Sequence, residues 1–212
     1  MPSPRLHPPR RRPLSALLKA RLQPAHSLAV VGIGSDLRGD DIAGLLVLRN
    51  LRAALARPQR WSPARNATHS VAGGVATAGA ARSRPKTIRS EASERVRLFD
   101  GGTAPENLTG EIVRFRPSHI LLVDAADFGQ KPGTVKLIEP ENIDGMSFST
   151  HALPLNILAD YLKRTLSCHI MILGIQPGRT DFGAPPSREI RQTARRLARI
   201  ILNAALRREK SA

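Results

Sequence analysis

The chain has one cysteine, Cys168, which excludes a disulfide framework and any metal site built from several thiolates. Aromatic residues make up only 3% of it, against 41% apolar residues overall, so a core must be aliphatic and rich in alanine. No apolar run approaches the roughly 18 residues that span a bilayer. Acidic residues are scarce, 17 against 33 Lys and Arg, and the resulting charge of +16 would suggest a nucleic-acid binder if it were evenly spread. It is not. Residues 1–26 carry six basic residues and no acid, residues 57–90 carry seven and no acid, and residues 188–212 carry a net +6. Those three stretches hold +19, which leaves −3 for the remainder. The basicity therefore sits on appendages, and no specific nucleic-acid reading is expected from it. Arg10, Arg11 and Arg12 precede the apolar stretch Leu14 to Leu18, but Lys19 and Arg21 cut that stretch short of an export signal. A cytoplasmic protein without membrane insertion is the expectation.

What is present reads as one α/β domain of 27–206. It is preceded by a basic extension, 1–26, with a short helix at Leu14 to Leu22, and followed by a tail, 207–212. Residues 57–90, rich in Ala, Arg, Gly, Ser and Pro, read as a disordered insert. Apolar runs at Leu28 to Gly32, Val96 to Phe99, His119 to Val123 and His169 to Ile175 predict strands, and Gly133 to Ile138 predicts one at the sheet edge. Helical spacing marks Ile42 to Leu55, Leu153 to Leu166 and the segment carrying Ile190, Ala194, Leu197 and Ile201. Residues from Pro105 to about Phe115 also lean towards helix. This alternation predicts a three-layer αβα sandwich around a twisted, mostly parallel sheet of about five strands. Small size and a complete core make a monomer the expected state.

The first strand leads into Gly32-Ile33-Gly34-Ser35-Asp36-Leu37-Arg38-Gly39-Asp40-Asp41. In α/β folds the carboxyl end of a strand opening onto a helix is the usual place for a ligand. A dinucleotide fingerprint would need glycine where Leu37 stands, and Asp36, Asp40 and Asp41 would repel a pyrophosphate, so this turn suits a cation better. Asp124, closing the apolar run Ile120 to Val123, and His151, just before the Leu153 helix, are candidates for the same rim. Two carboxylates and an imidazole make a site for a borderline divalent ion such as nickel or zinc, with positions left open. Each residue also has a plainer reading: Asp41 as a helix cap, His151 as a surface histidine. Asp124 is harder to dismiss, because a charge at a buried strand end needs a partner. His119 and His169 flank strands and read as structural. Cys168 reads as core, and no Ser–His or Cys–His pairing is evident.

Five motifs occur in order: Gly-x-Gly-x-x-x-x-Gly-Asp-Asp at 32–41, Asp-Gly-Gly-Thr-Ala-Pro-Glu-Asn at 100–107, Val-Asp-Ala-x-Asp-x-Gly at 123–129, Ser-Thr-His-x-Leu-Pro-Leu at 149–155 and Leu-Gly-Ile-Gln-Pro at 173–177. As a set they resemble the hydrogenase maturation proteases, in particular the type serving the hydrogenase of formate hydrogenlyase (hydrogenase 3), over about 28–56 and 96–205. The resemblance implies a twisted parallel sheet between helices. It also implies an endopeptidase that removes the C-terminal extension of the nickel-iron hydrogenase large-subunit precursor once nickel is in place. Nickel would come with the substrate, and no organic cofactor is implied. Carried over by residue, Asp41, Asp124 and His151 are the metal-contacting and catalytic set, and Asp100, Gly101, Gly102 and Thr103 form a substrate-contacting loop. The basic extension and the 57–90 insert depart from the pattern without touching a motif. The alternatives are a non-catalytic nickel-binding assembly protein using the same ligands, and a nucleic-acid-associated protein using the appendages.

Overall fold

Strands β1 (Leu28–Ile33), β3 (His119–Asp127) and β6 (His169–Ile175) are apolar without alternation because both of their faces are covered. The structure, a computed structural model, describes residues 12–56, 95–140, 147–148 and 154–206. With β2 (Val96–Gly102) and β4 (Val135–Ile138), these strands form a sheet in the order β2-β1-β3-β6-β4. A two-residue strand, β5 (Ser147–Phe148), pairs with the end of β3. The first four strands of that order run parallel, while β4, at the edge beside β6, and the short β5 beside β3 run antiparallel. Helix α1 (Leu14–Leu22) and helix α2 (Ala43–Leu55, entered through a 3₁₀ turn at Gly39–Ile42) cover one face together with α5 (Arg188–Leu206). They pack on Leu28, Val30, Leu121, Val123, Met171 and Leu173. Helices α3 (Thr109–Phe115) and α4 (Leu155–Thr165) cover the other face, against Ala29, Val31, Ile120, Leu122, Ile170 and Ile172. This is the expected αβα sandwich.

Burial of Ile190, Leu197 and Ile201 on α5, all fully enclosed, contributes roughly 5–9 kcal/mol to holding that helix on the sheet. Two strand ends differ from the sequence reading. β3 continues through Asp124 to Asp127, because Asp124 and Ala125 still pair with Gly174 and Ile175 while Ala126 and Asp127 pair with β5. β2 continues through Asp100, Gly101 and Gly102, because Gly32 and Ile33 of β1 go on pairing with them. The insert at 57–90, residues 1–11 of the extension and the tail lie outside the described residues. Among the described residues no helix is long and apolar enough to cross a membrane.

At the amino ends of the strands, His119 and His169 are register partners with ring centroids 4.9 Å apart. His119 is buried, and that burial, followed by the neighbouring His169 and His26, holds its pKa below the ordinary value. The folded protein thus binds fewer protons here than the unfolded chain, so stability is full above the unfolded value of about 6.5 and declines as pH falls through it. His119→Asn, which preserves a polar atom near the Ser118 hydroxyl, is expected to flatten the fall in melting temperature between pH 7.5 and 5.5. An unchanged pH slope would assign that fall to other groups.

Candidate active site

The chain leaves β1 and turns back on itself within a few residues. Gly34 donates its N–H to the Gly102 carbonyl at 2.9 Å, tying the ends of β1 and β2 together. At φ +136°, a Cβ on Gly34 would lie 1.8 Å from the Asp41 carbonyl oxygen, so only glycine lets the two ends of this turn meet. The Ser35 N–H closes the turn by donating to Asp41 Oδ2 at 3.0 Å. That bond runs backwards along the chain, and α2 has no side-chain cap, so capping does not explain Asp41. Its side chain is only 1% exposed, and its Oδ1 is buried without a hydrogen-bond partner.

Glycine also brings α2 to the ends of β1 and β3. A Cβ on Gly44 would stand 2.1 Å from the Val123 carbonyl oxygen and 2.3 Å from that of Ile33. The 39–42 turn consequently packs against β3. Asp124 follows Val123 directly, is fully buried, and accepts the Ala125 N–H on Oδ1 at 2.8 Å. The chain leaves β1 towards β2 on one side, then returns across β1 to β3. The gap between the carboxyl ends of β1 and β3 is therefore the topological switch point, and Asp41 and Asp124 flank it.

The other candidates are dispersed. Asp100 to Gly102 lie at the end of β2, on the far side of β1 from β3. Asp100 and Thr103 are exposed, and Gly101 is buried where a Cβ would come within 3.0 Å of the Gly32 carbonyl. His151 lies outside the described residues, four positions before α4 begins. Among the described residues no group of three or more His, Cys, Asp or Glu is placed to hold a metal ion.

Three polar residues were not singled out by sequence. Asp40 is fully buried; its Oδ2 accepts the N–H groups of Gly178 (2.8 Å) and Arg179 (3.2 Å), and its Oδ1 accepts that of Ser187 (2.6 Å). Gln176, at the end of β6, accepts the N–H groups of Phe128 and Gln130 on Oε1 and donates from Nε2 to Asp127. The Gly129 N–H first, and then this Gln176 amide, hold the Asp127 carboxyl below the usual range. Glu106, after β2, has a buried Oε2 without a partner. All three lie within the quoted motifs, and Gln176 carried the further signal of a polar residue that ends an apolar strand.

Cys168 precedes the first residue of β6, at the opposite end of the sheet. Seven strand residues at about 3.3 Å each separate it from the rim by roughly 20 Å. Burial also raises its thiol pKa, away from the thiolate a nucleophile requires. Cys168→Ala is expected to leave the activity of the rim unchanged, and complete loss in a folded variant would point to a thiol mechanism.

Comparison with known proteins adds an independent line. The family model described as hydrogenase maturation protease (HycI) matches residues 86–204. The hydrogenase 3 maturation protease of Escherichia coli K12 is 41% identical over 95 residues, which cover 44% of this chain and 60% of that protein. The crystal structure of a [NiFe] hydrogenase maturation protease HycI from Thermococcus kodakarensis superposes with a TM-score of 0.67 at 29% identity, covering 89% of this chain and 98% of that one. The solution structure of the endopeptidase HycI from E. coli gives 0.60 at 27% identity, covering 84% and 90%.

Proposed function

The chain belongs to the hydrogenase maturation protease family, and from that footing we propose that it removes the C-terminal extension of a nickel-iron hydrogenase large-subunit precursor, recognising nickel already bound in that precursor. The observation that carries this reading is Asp41 Oδ1. A carboxylate oxygen withdrawn from water without a donor costs free energy, and a cation arriving with the substrate supplies the missing partner. Asp124, buried at the same switch point, contributes a second carboxylate, and His151 is assigned the imidazole. Oxygen and nitrogen donors of this kind suit nickel, whereas magnesium favours a set of oxygens alone. The two carboxylates would orient the nickel-bearing precursor so that its scissile peptide lies across the β1–β3 gap. Held by Asp41, Asp124 and His151, the precursor's nickel would supply a template and Lewis acidity for hydrolysis of that peptide bond. Asp100 to Thr103, at the adjoining end of β2, would contact the precursor from the side, with the exposed Asp100 and Thr103 turned towards solvent.

The test is mass spectrometry of a nickel-loaded large-subunit precursor from the same organism, incubated with this protein beside a nickel-free control. Loss of a defined C-terminal peptide from the nickel-loaded sample alone is the expected result. Cleavage that ignores nickel would overturn the recognition element. Nickel-dependent binding without cleavage of a matched precursor would make the protein a non-catalytic assembly factor.

A further inference from the structure

Phe182 is 79% exposed, the most exposed large apolar side chain among the described residues, in a chain with only five phenylalanines. It stands at the tip of a tight turn, Asp181 to Ala184, closed by the Ala184 N–H donating to the Asp181 carbonyl, with Gly183 at φ +75° in the third position. The tip is anchored to the turn that carries Asp41. The Gly183 N–H donates to the Leu37 carbonyl at 2.7 Å, and Leu37 is itself 57% exposed. Gly39 donates to the Ala184 carbonyl, Asp40 donates to the Arg179 carbonyl, and the Asp40 carboxylate holds Gly178, Arg179 and Ser187 on both arms of the loop. Pro185 and Pro186 further restrict the returning arm. A chain that spends a buried carboxylate on fixing a loop, and then presents a phenylalanine and a leucine to water from it, has built a rigid apolar platform.

We propose that Leu37 and Phe182 form the ridge on which the large-subunit precursor docks, meeting an apolar surface beside its C-terminal extension. This rests on the reading of the protein as the large-subunit endopeptidase. The occupant follows from continuity: Leu37 lies four residues before Asp41 in the same turn, so the ridge adjoins the proposed site and a protein whose metal reaches Asp41 and Asp124 has surface beside it. A preorganised aromatic beside a reactive site concentrates binding free energy at low entropic cost. The contact is made by the precursor's body and is independent of its nickel.

The experiment compares wild type, Phe182→Ser, Leu37→Ser and Phe182→Leu with the nickel-loaded precursor, measuring cleavage kinetics and, separately, equilibrium binding. Phe182→Ser is expected to raise KM and Kd ten- to thirtyfold with kcat within twofold, Leu37→Ser to raise them several-fold, and Phe182→Leu to keep most of the affinity. Melting temperatures should stay at the wild-type value, since both side chains are exposed. If wild type cleaves and Phe182→Ser matches it in KM and Kd, the ridge is overturned while the endopeptidase reading stands. If wild type binds without cleaving, the Kd comparison alone decides the ridge. If wild type neither binds nor cleaves, the endopeptidase reading fails and the ridge falls with it.

Discussion

Asp41→Asn is expected to slow cleavage of the nickel-loaded precursor at least ~100-fold while leaving the melting temperature unchanged or raised. The substitution is nearly isosteric, and the amide oxygen can take over the bond that Oδ2 accepts from the Ser35 N–H, so the turn should close as before. What changes is Oδ1, the buried atom without a partner. An ionised carboxylate held there is a cost to the folded state, and a neutral amide reduces it. A residue whose removal leaves the fold as stable or more so, yet removes activity, is retained for what it does with a ligand. Asp124→Ala and His151→Ala should show the same loss of processing with the fold intact. Initial cleavage rates and thermal melts on the same preparations check the three together. Full activity in any of them would remove that residue from the site, and a loss of activity that tracks a loss of melting temperature would make its role structural.

Much of the fold was legible because β1, β3 and β6 lie between two helical layers and read as unbroken apolar runs, and because Ile190, Ala194, Leu197 and Ile201 keep helical spacing on one buried face. The ends of strands were less legible. Nothing in Asp124-Ala125-Ala126-Asp127 or Asp100-Gly101-Gly102 favours extended backbone by composition; the neighbouring strands impose it through continued pairing. β5, at two residues, is too short for any periodicity to register.

The candidate site divides in the same way. Asp41 and Asp124 could be named because one lies in the turn after the first apolar strand and the other closes a second, and the carboxyl ends of parallel strands share one rim; that they flank the switch point is visible only from the strand order β2-β1-β3. The plainer reading of Asp41 as a cap fails only once the Ser35 bond and the uncapped α2 are seen. Asp40 was invisible as anything beyond a neighbouring charge, since its partners lie 138 to 147 residues away. Gln176 likewise acts on backbone 46 to 48 residues back, in the 128–130 loop. Such side chains solve problems created by tertiary folding, and local pattern carries no record of those problems.

Asp40→Asn should behave in the opposite sense to its neighbour. Both oxygens of Asp40 are in use, accepting three backbone N–H groups from the 178–187 loop. Asparagine offers one acceptor atom, so whichever way the amide turns, its NH₂ faces at least one backbone N–H that has lost its partner. Hydrogen bonds to a charged acceptor contribute about 1.5–3 kcal/mol each, and stranded buried donors add to the loss. A destabilisation of about 3 kcal/mol is expected, which for a domain of this size lowers the melting temperature by roughly 6–12 °C. The loop carrying Phe182 is released in the same step, so amide exchange at Gly178, Arg179 and Ser187 should accelerate and the KM for the precursor should rise. Catalysis on bound precursor should persist, because the Asp41 oxygen that lacks a partner does not depend on the 178–187 loop. A variant with wild-type melting temperature and unchanged amide protection would show that the loop is held by the Gly183–Leu37 and Gly39–Ala184 backbone bonds alone. Adjacent aspartates in one turn then differ in use: both oxygens of Asp40 are engaged by the chain, whereas Asp41 has one oxygen that the chain leaves unpartnered, the atom that the proposed function assigns to the substrate.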